Sequence, residues 1–241
     1  MFDANLNARH NQAQLPLATM LAGAEDLIGC YQELAQDARH LLQDLLHGEQ
    51  PRQWEHYPHE DVIDSVHGYQ YFYHSHAPED REDAAEHGHF HLFARLDNAL
   101  HVPDEAAEQA FLTGMAADAA SGNTANLLCV SLNARGVPTS FFTVNRWVTG
   151  DQLLSAPATL ALLRGFVLET QEFTLVNRWL KALLQLFWPQ IETLLQQRDA
   201  ALLRLIAEGK ALPLLDNPMV EVLSECAIDI DQQIGLLNDA L

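Results

Sequence analysis

Two short runs of alternating histidines constrain the fold of this chain more than any other feature. The first run covers residues 73–76 and the second covers residues 87–91. On a β-strand every second side chain points to the same face. We therefore expect His74 and His76 to share one face of a strand. By the same spacing, His87, His89 and His91 should share one face of the next strand.

Imidazole groups gathered on one face are the commonest protein ligands of divalent transition metals. Such a site needs three or four nitrogen or oxygen donors at about 2.0–2.2 Å. A hairpin that pairs the two runs would supply them, and its register decides which histidines converge. Two other interpretations stay open, a binding or catalytic site without metal and a surface hairpin with solvated histidines. The predicted metal ligands are His74, His76, His87, His89 and His91.

Other ionisable residues lie close to these runs in the sequence. Glu86 directly precedes the second run and could supply a carboxylate ligand or act as a general acid or base. A looser cluster precedes the first strand and could fold over the sheet as outer ligands or as an acid/base group. Its members are His56, His59, Asp61 and Asp64. We expect Glu86 or His59 to be the catalytic acid or base.

Arg146 is the predicted substrate anchor. It lies in residues 143–149, which read as a strand. In an acidic chain a guanidinium can bind a substrate carboxylate or phosphate through two parallel hydrogen bonds. A structural ion pair with one of the 33 acidic residues is the alternative.

The formal net charge of −20, from 33 acidic and 13 basic residues, limits the partners of this chain. Such a charge repels the phosphate backbone of nucleic acids and anionic membrane surfaces. No stretch approaches the ~20 apolar residues of a membrane span, and the polar N-terminus lacks the pattern of a signal peptide. Together these features predict a cytoplasmic protein without nucleic-acid or membrane partners.

The three cysteines agree with a reducing compartment. Cys30, Cys129 and Cys226 are odd in number and show no Cys-x-x-Cys spacing, which is a poor framework for disulfides. Cys129 lies in the middle of a predicted strand. We interpret it as a small buried side chain rather than a nucleophile.

The hydrophobic pattern predicts an α+β protein with an antiparallel sheet of about four strands, covered by N-terminal and C-terminal helices. The strands form two hairpins, a His-rich hairpin at 68–97 and a second hairpin at 126–149. We expect a flexible arm at 1–14 and a single domain at 15–241, with a homodimer left open. The predicted helices cover 17–46, 104–120, 155–172, 174–207 with a break near Pro189, 220–226 and 232–237, so that the C-terminal part 155–241 is helical.

Residues 87–93, with the sequence His-Gly-His-Phe-His-Leu-Phe, resemble the His-x-His-x-His-x-x motif of the histidine-triad nucleotide hydrolases and transferases. The resemblance covers these residues alone. Gly88 stands where that family has a hydrophobic residue. The resemblance implies a metal-independent reaction in which His89, as the middle histidine, attacks a nucleotidyl phosphate.

A longer set of motifs resembles an uncharacterised bacterial family that is defined only as a domain of unknown function. The motifs are His56-Tyr57-Pro58, the His74 and His76 pair, residues 86–93 and residues 143–150. The resemblance would cover roughly residues 50–240. It implies that the histidine hairpin and the Asn145-Arg146-Trp147 strand belong to one module, and it brings no established activity.

These observations together predict a metal-binding protein. We expect a metalloenzyme that uses histidine-bound zinc, iron or copper for hydrolytic or oxidative chemistry on a small molecule. Two alternatives remain open. One is a metal-independent nucleotidyl hydrolase or transferase of the histidine-triad type, and the other is a metal-storage, metal-delivery or interaction protein without turnover.

Overall fold

The computed structural model describes residues 16–49, 51–52, 55–75, 86–115, 117–118, 122–209 and 213–240. Within them the protein is α+β, as predicted, with helices packed on an antiparallel sheet. The predicted arm at 1–14, the predicted ligand His76 and nearly all of the acidic loop at 78–86 lie outside these residues.

Most helices differ from the prediction in where they end, but the predicted helix at 220–226 was wrong, because Val222–Ala227 is a strand that pairs along the sheet edge. The first predicted helix is interrupted at Ala38, which takes a positive φ of 51°, and the helix after residue 155 ends at Arg164. A break near Pro189 is confirmed, because a helix begins at Trp188 and places the proline in its first turn. No helix in these ranges is long and apolar enough to cross a membrane. The α-helices are α1 (Leu17–Gln36), α2 (Leu41–Leu46), α3 (Glu105–Gly114), α4 (Arg146–Thr149), α5 (Ala156–Arg164), α6 (Thr174–Leu186), α7 (Trp188–Ala207) and α8 (Ile230–Asp239), with a 3-10 helix at Leu214–Asp216.

The described strands form one six-stranded antiparallel sheet in which each strand pairs with the next strand along the chain. Both predicted hairpins are confirmed, but the expectation of about four strands was too low. The additional strands are the first and the last, which form the two edges of the sheet. The strands are β1 (Tyr57–Asp64), β2 (Tyr69–Ser75), β3 (Gly88–Arg95), β4 (Thr124–Leu132), β5 (Pro138–Val144) and β6 (Val222–Ala227).

The second hairpin ends earlier than its sequence suggests. The buried side chain of Asn145 accepts a hydrogen bond from the backbone N–H of Arg146 at 2.9 Å. The amide nitrogen of Asn145 also donates to the carbonyl oxygens of Leu214 at 3.0 Å and Val220 at 2.9 Å. These bonds stop the strand and cap α4. The prediction of a strand through residue 149 was therefore wrong, and Arg146 lies on a helical turn.

The two faces of the sheet have different surroundings. Tyr71, Phe90 and Val130, on three neighbouring strands, are fully buried in the main hydrophobic core with the helices. The ring of Trp179 on α6 lies 6.2 Å from the ring of Phe90, centroid to centroid. Because side chains alternate along a strand, the residues between these core positions point to the opposite face. His74, His89 and His91 place their imidazoles on that opposite face.

Candidate metal centre

Strand pairing brings three of the five predicted ligands together. In the register of β2 and β3, His74 lies opposite His89. His91, two residues further along β3, lies opposite Phe72 on β2 and opposite Cys129 on β4. All of these side chains therefore share the sheet face that is turned away from the helical core.

The three imidazoles meet through their Nε2 atoms. Nε2 of His89 lies 2.8 Å from Nε2 of His74 and 3.0 Å from Nε2 of His91. In a tetrahedral site with metal–nitrogen bonds of about 2.0–2.1 Å, ligand nitrogens lie about 3.3 Å apart. The observed spacings are within about half an ångström of that value. The three side chains could therefore hold a metal ion.

The cluster is buried. His89 is 3% exposed and His91 is 1% exposed, whereas His74 is partly exposed. Among the residues that the structure describes, His74, His89 and His91 are the one group of three or more histidine, cysteine or acidic side chains with donor atoms close enough to hold a metal.

Glu86 orients the central histidine of the cluster. Nδ1–H of His89 donates to Oε1 of Glu86 at 2.6 Å, and both side chains are 4% exposed. Ser131 on β4 donates from its hydroxyl to Oε2 of Glu86 at 2.9 Å. With its Nδ1 proton held by the carboxylate, His89 presents the lone pair of Nε2 to the centre of the cluster. A carboxylate behind the ring is the usual outer partner of a metal-bound histidine.

The second ring nitrogen of His91 faces β4. Nδ1 of His91 lies 3.2 Å from the sulfur of Cys129 and 3.3 Å from Nδ2 of Asn126. A half-turn of the Asn126 amide places its oxygen at the same position, and either this oxygen or the sulfur can accept the Nδ1 proton. In that tautomer the Nε2 lone pair of His91 points toward His89.

Aromatic rings line the cluster. The ring centroid of Phe72 lies 4.9 Å from that of His91, and Phe142 on β5 lies 4.8 Å from His89 in an edge-on contact. Phe93 stacks near His91 with a centroid distance of 6.1 Å. Apolar rings around a metal site limit the access of solvent and lower the local dielectric constant. They therefore strengthen the attraction between the imidazole donors and a cation.

The other two predicted ligands are not part of this cluster as described. His87 precedes β3, and its Nδ1 lies 2.7 Å from the hydroxyl of Tyr73, whose ring packs in the helical core. Burial lowers the pKa of His87, with a smaller contribution from His40. The alternation that we expected for His87 does not extend to it, because the strand begins at Gly88. His76 lies outside the described residues.

Two of the predicted catalytic residues lie against other partners. His59 is 67% exposed, with its Nε2 3.7 Å from a carboxylate oxygen of Glu49. Arg146 forms two hydrogen bonds with the carboxylate of Asp216, at 3.0 Å from Nε and 2.6 Å from Nη2. The second arrangement is the structural ion pair that the sequence left open as an alternative.

The looser cluster before the first strand separates into two parts. Asp64 accepts hydrogen bonds from the backbone N–H of Glu169 and from both the backbone and the ring of His67. Burial alone would raise the pKa of Asp64, but these bonds outweigh it and hold the pKa below its usual value. Asp64 therefore fastens the β1–β2 turn to the segment before α6. His56 and Asp61 pair with each other near His74.

Sequence reasoning missed the contributions of β4 and β5 to the site. Cys129 is buried, as predicted, but it also contacts His91. Alternation alone places Cys129 and Ser131 on one face of β4. This was the sequence signal that could have indicated a contribution of β4 to the site. Nothing in the sequence fixes which residue of β4 lies opposite which histidine, so the contacts of Ser131, Asn126 and Phe142 could not be derived.

One protein family matches most of the chain. It is described as a domain of unknown function (DUF6969), and the match covers residues 21–228. This range contains all six strands and the three clustered histidines. The comparisons show no resemblance to the histidine-triad hydrolases. No curated protein and no solved structure matches the chain.

Proposed function

Since the chain belongs to this family of unknown function, we propose a function from its own site: the protein binds one divalent transition metal through His74, His89 and His91. The observation that carries the proposal is the convergence of the three Nε2 atoms on a buried point. Three imidazoles from two paired strands form a rigid donor set, because the sheet fixes each Cα position.

The arrangement around His89 supports a ligand rather than a nucleophile. Its Nδ1 proton is held by Glu86, and its Nε2 lies within 3.0 Å of the imidazoles of both His74 and His91. A nucleophilic histidine needs its reactive nitrogen to face the substrate, whereas this nitrogen faces two other rings. The same geometry suits a shared cation.

We further propose that the centre is catalytic. Three protein ligands leave one position of a tetrahedral site open, as in catalytic metal sites. A metal held there supplies a Lewis acid for hydrolysis, or redox chemistry if it is iron or copper. Glu86 would hold the Nδ1 proton of His89, and the rings of Phe72 and Phe142 would exclude bulk water. The substrate class that fits the proposal is a small molecule.

Elemental analysis of tag-free protein tests the proposal. Protein from cells grown with zinc, iron and copper should carry about one ion per chain after desalting, and the ion present names the metal. Stripped protein should also bind about one equivalent of Co²⁺ and develop the visible absorption of a cobalt–histidine complex. A folded, stripped protein that takes up none of these metals would overturn the proposal.

Glu86→Gln should weaken metal binding by roughly 10–100-fold without removing a ligand. The amide cannot carry the negative charge that raises the basicity of His89, although it can still accept the Nδ1 proton. Competition with a chromophoric chelator measures the dissociation constant. Glu60→Gln, which changes an exposed acid on β1, is the matched control and should leave the constant unchanged. Equal metal dissociation constants for Glu86→Gln and the unsubstituted protein would contradict the proposed effect of Glu86 on the basicity of His89.

A further inference from the structure

His56 and Asp61 form an ordered pair beside the three-histidine cluster. The Nδ1–H of His56 donates to Oδ1 of Asp61 at 3.1 Å. Gln70 on β2 donates to the other carboxylate oxygen of Asp61 at 2.6 Å. The imidazole of His56 stacks on the ring of Phe72, with centroids 3.7 Å apart and planes inclined by 6°. Its orientation is therefore fixed from two sides.

The position of Phe72 places this pair on the same sheet face as the cluster. Phe72 lies opposite His91 in the register of β2 and β3 and two residues before His74. The ring that stacks on it, His56, lies 6.4 Å from the ring of His74, centroid to centroid. His56 is thus a neighbour of the cluster without a hydrogen bond to its ligands.

The pair repeats the arrangement behind the central ligand. In both cases a carboxylate holds Nδ1–H of an imidazole, Glu86 for His89 and Asp61 for His56. In both cases the carboxylate itself accepts a further hydrogen bond, so its position is fixed. This arrangement directs the lone pair of Nε2 outward and raises its basicity as a metal donor.

Exposure falls stepwise from this pair to the cluster. The side chain of His56 is 42% exposed and that of Asp61 is 20% exposed. His74 is partly exposed, while His89 and His91 are buried. A hydrated cation arriving from solvent therefore meets His56 and the negative charge of Asp61 before it meets the buried nitrogens. A buried metal site needs such an access route, because the ion must lose its water shell on the way in.

We propose that His56, oriented by Asp61, is an outer docking ligand through which a divalent transition metal reaches the three-histidine cluster. The proposal rests on the metal site proposed above. The ion exchanges a water for Nε2 of His56 and then exchanges further waters for the imidazoles, beginning with His74, and its bond to His56 breaks as the last imidazole binds. Because the pair is not part of the final ligand set, it speeds uptake and release by the same factor and leaves the equilibrium affinity unchanged.

Stopped-flow uptake of Co²⁺ by stripped, folded protein tests this inference. We expect His56→Ala to slow association by about 10-fold, the lower end of the acceleration that a charged cleft gives. Asp61→Asn keeps an oxygen that can accept the Nδ1 proton but removes the negative charge. Its association rate should therefore lie between those of the unsubstituted protein and His56→Ala. Release to an excess of chelator should slow by the same factor in each variant, with about one Co²⁺ per chain at equilibrium.

The matched control is His59→Ala, which removes an exposed imidazole from β1, three residues after His56. His59 lies against Glu49 and Tyr57 instead of Phe72, and its removal should leave both rates unchanged. Unchanged rates in His56→Ala, or equal slowing in the control, would overturn the inference while leaving the metal site intact. A weakened equilibrium affinity in His56→Ala would also overturn it, by making His56 a ligand of the final site. Absence of Co²⁺ binding in the unsubstituted protein would instead overturn the metal site, and with it the docking role.

Discussion

Replacing His89 by alanine is expected to reduce tightly bound metal from about one ion to fewer than ~0.1 ions per chain. His89 is the central donor, since its Nε2 contacts the Nε2 atoms of both His74 and His91. Its removal leaves two imidazoles, which are too few for a stable site. The substitution also leaves the buried carboxylate of Glu86 without its ring partner. Elemental analysis after desalting with a weak chelator measures the loss.

The control for this experiment separates loss of a ligand from loss of any histidine. His59→Ala removes an imidazole that lies against Glu49, and it should retain the full metal content. Far-ultraviolet circular dichroism shows whether each variant is folded before its metal is counted. Retention of one ion per chain by folded His89→Ala protein would mean that the metal binds elsewhere.

Gly88→Val is expected to destabilise the fold by about 3 kcal/mol and to impair metal binding as well. A Cβ at position 88 would collide with the carbonyl oxygen of His74 and would lie 2.6 Å from the hydroxyl oxygen of Tyr73. Gly88 pairs with Ser75, directly beside the pairing of His74 with His89, so a displaced backbone also moves the ligands. The midpoint temperature of thermal unfolding should fall by roughly 6–12 °C for a chain of this size.

A glycine elsewhere provides the comparison. Gly29 lies within α1, and a Cβ added there would meet no atom within 4 Å. Gly29→Ala should therefore raise the free energy of unfolding by about 0.5–1 kcal/mol, because alanine favours a helix. If Gly88→Val unfolds at the same temperature as the unsubstituted protein, the close approach of the two strands at this position is not required.

The requirement for glycine at position 88 also explains why this chain departs from the histidine-triad motif there. The histidine-triad motif has a hydrophobic residue between its first two histidines, and this chain has Gly88. In the structure the position faces the carbonyl of His74 and the ring of Tyr73, where no side chain fits. The residues that resemble the histidine-triad motif thus lie on a strand whose packing requires glycine at position 88.

The histidine hairpin could be predicted because alternation is a local property. Alternation predicts that His89 and His91 share a face, and both this and the separately expected pairing of β2 with β3 are confirmed. The set of ligands could not be predicted, because it depends on register and on where the strand begins. The strand begins at Gly88, so His87 contacts Tyr73 instead of joining the cluster.

The edge strands could not be read from the sequence for a different reason. Residues 57–64 contain Pro58 and several charged residues, and residues 222–227 contain Ser224 and Glu225. An edge strand bonds to one neighbour and tolerates such residues. The conformations of β1 and β6 are set by pairing with β2 and β5, which are non-local contacts. Local propensity is a weak guide where pairing decides the outcome.

The sequential order of the strands has a consequence for the unfolded chain. His74, His89 and His91 lie within one short segment, because the site is built on a hairpin and not on distant parts of the chain. The denatured polypeptide therefore keeps a segment that can chelate a metal, because closing such a short loop costs little entropy. Metal bound to that segment competes with metal bound to the native state, and it reduces the stabilisation that ligand binding otherwise confers. Thermal shift alone would then underestimate the affinity of the folded site.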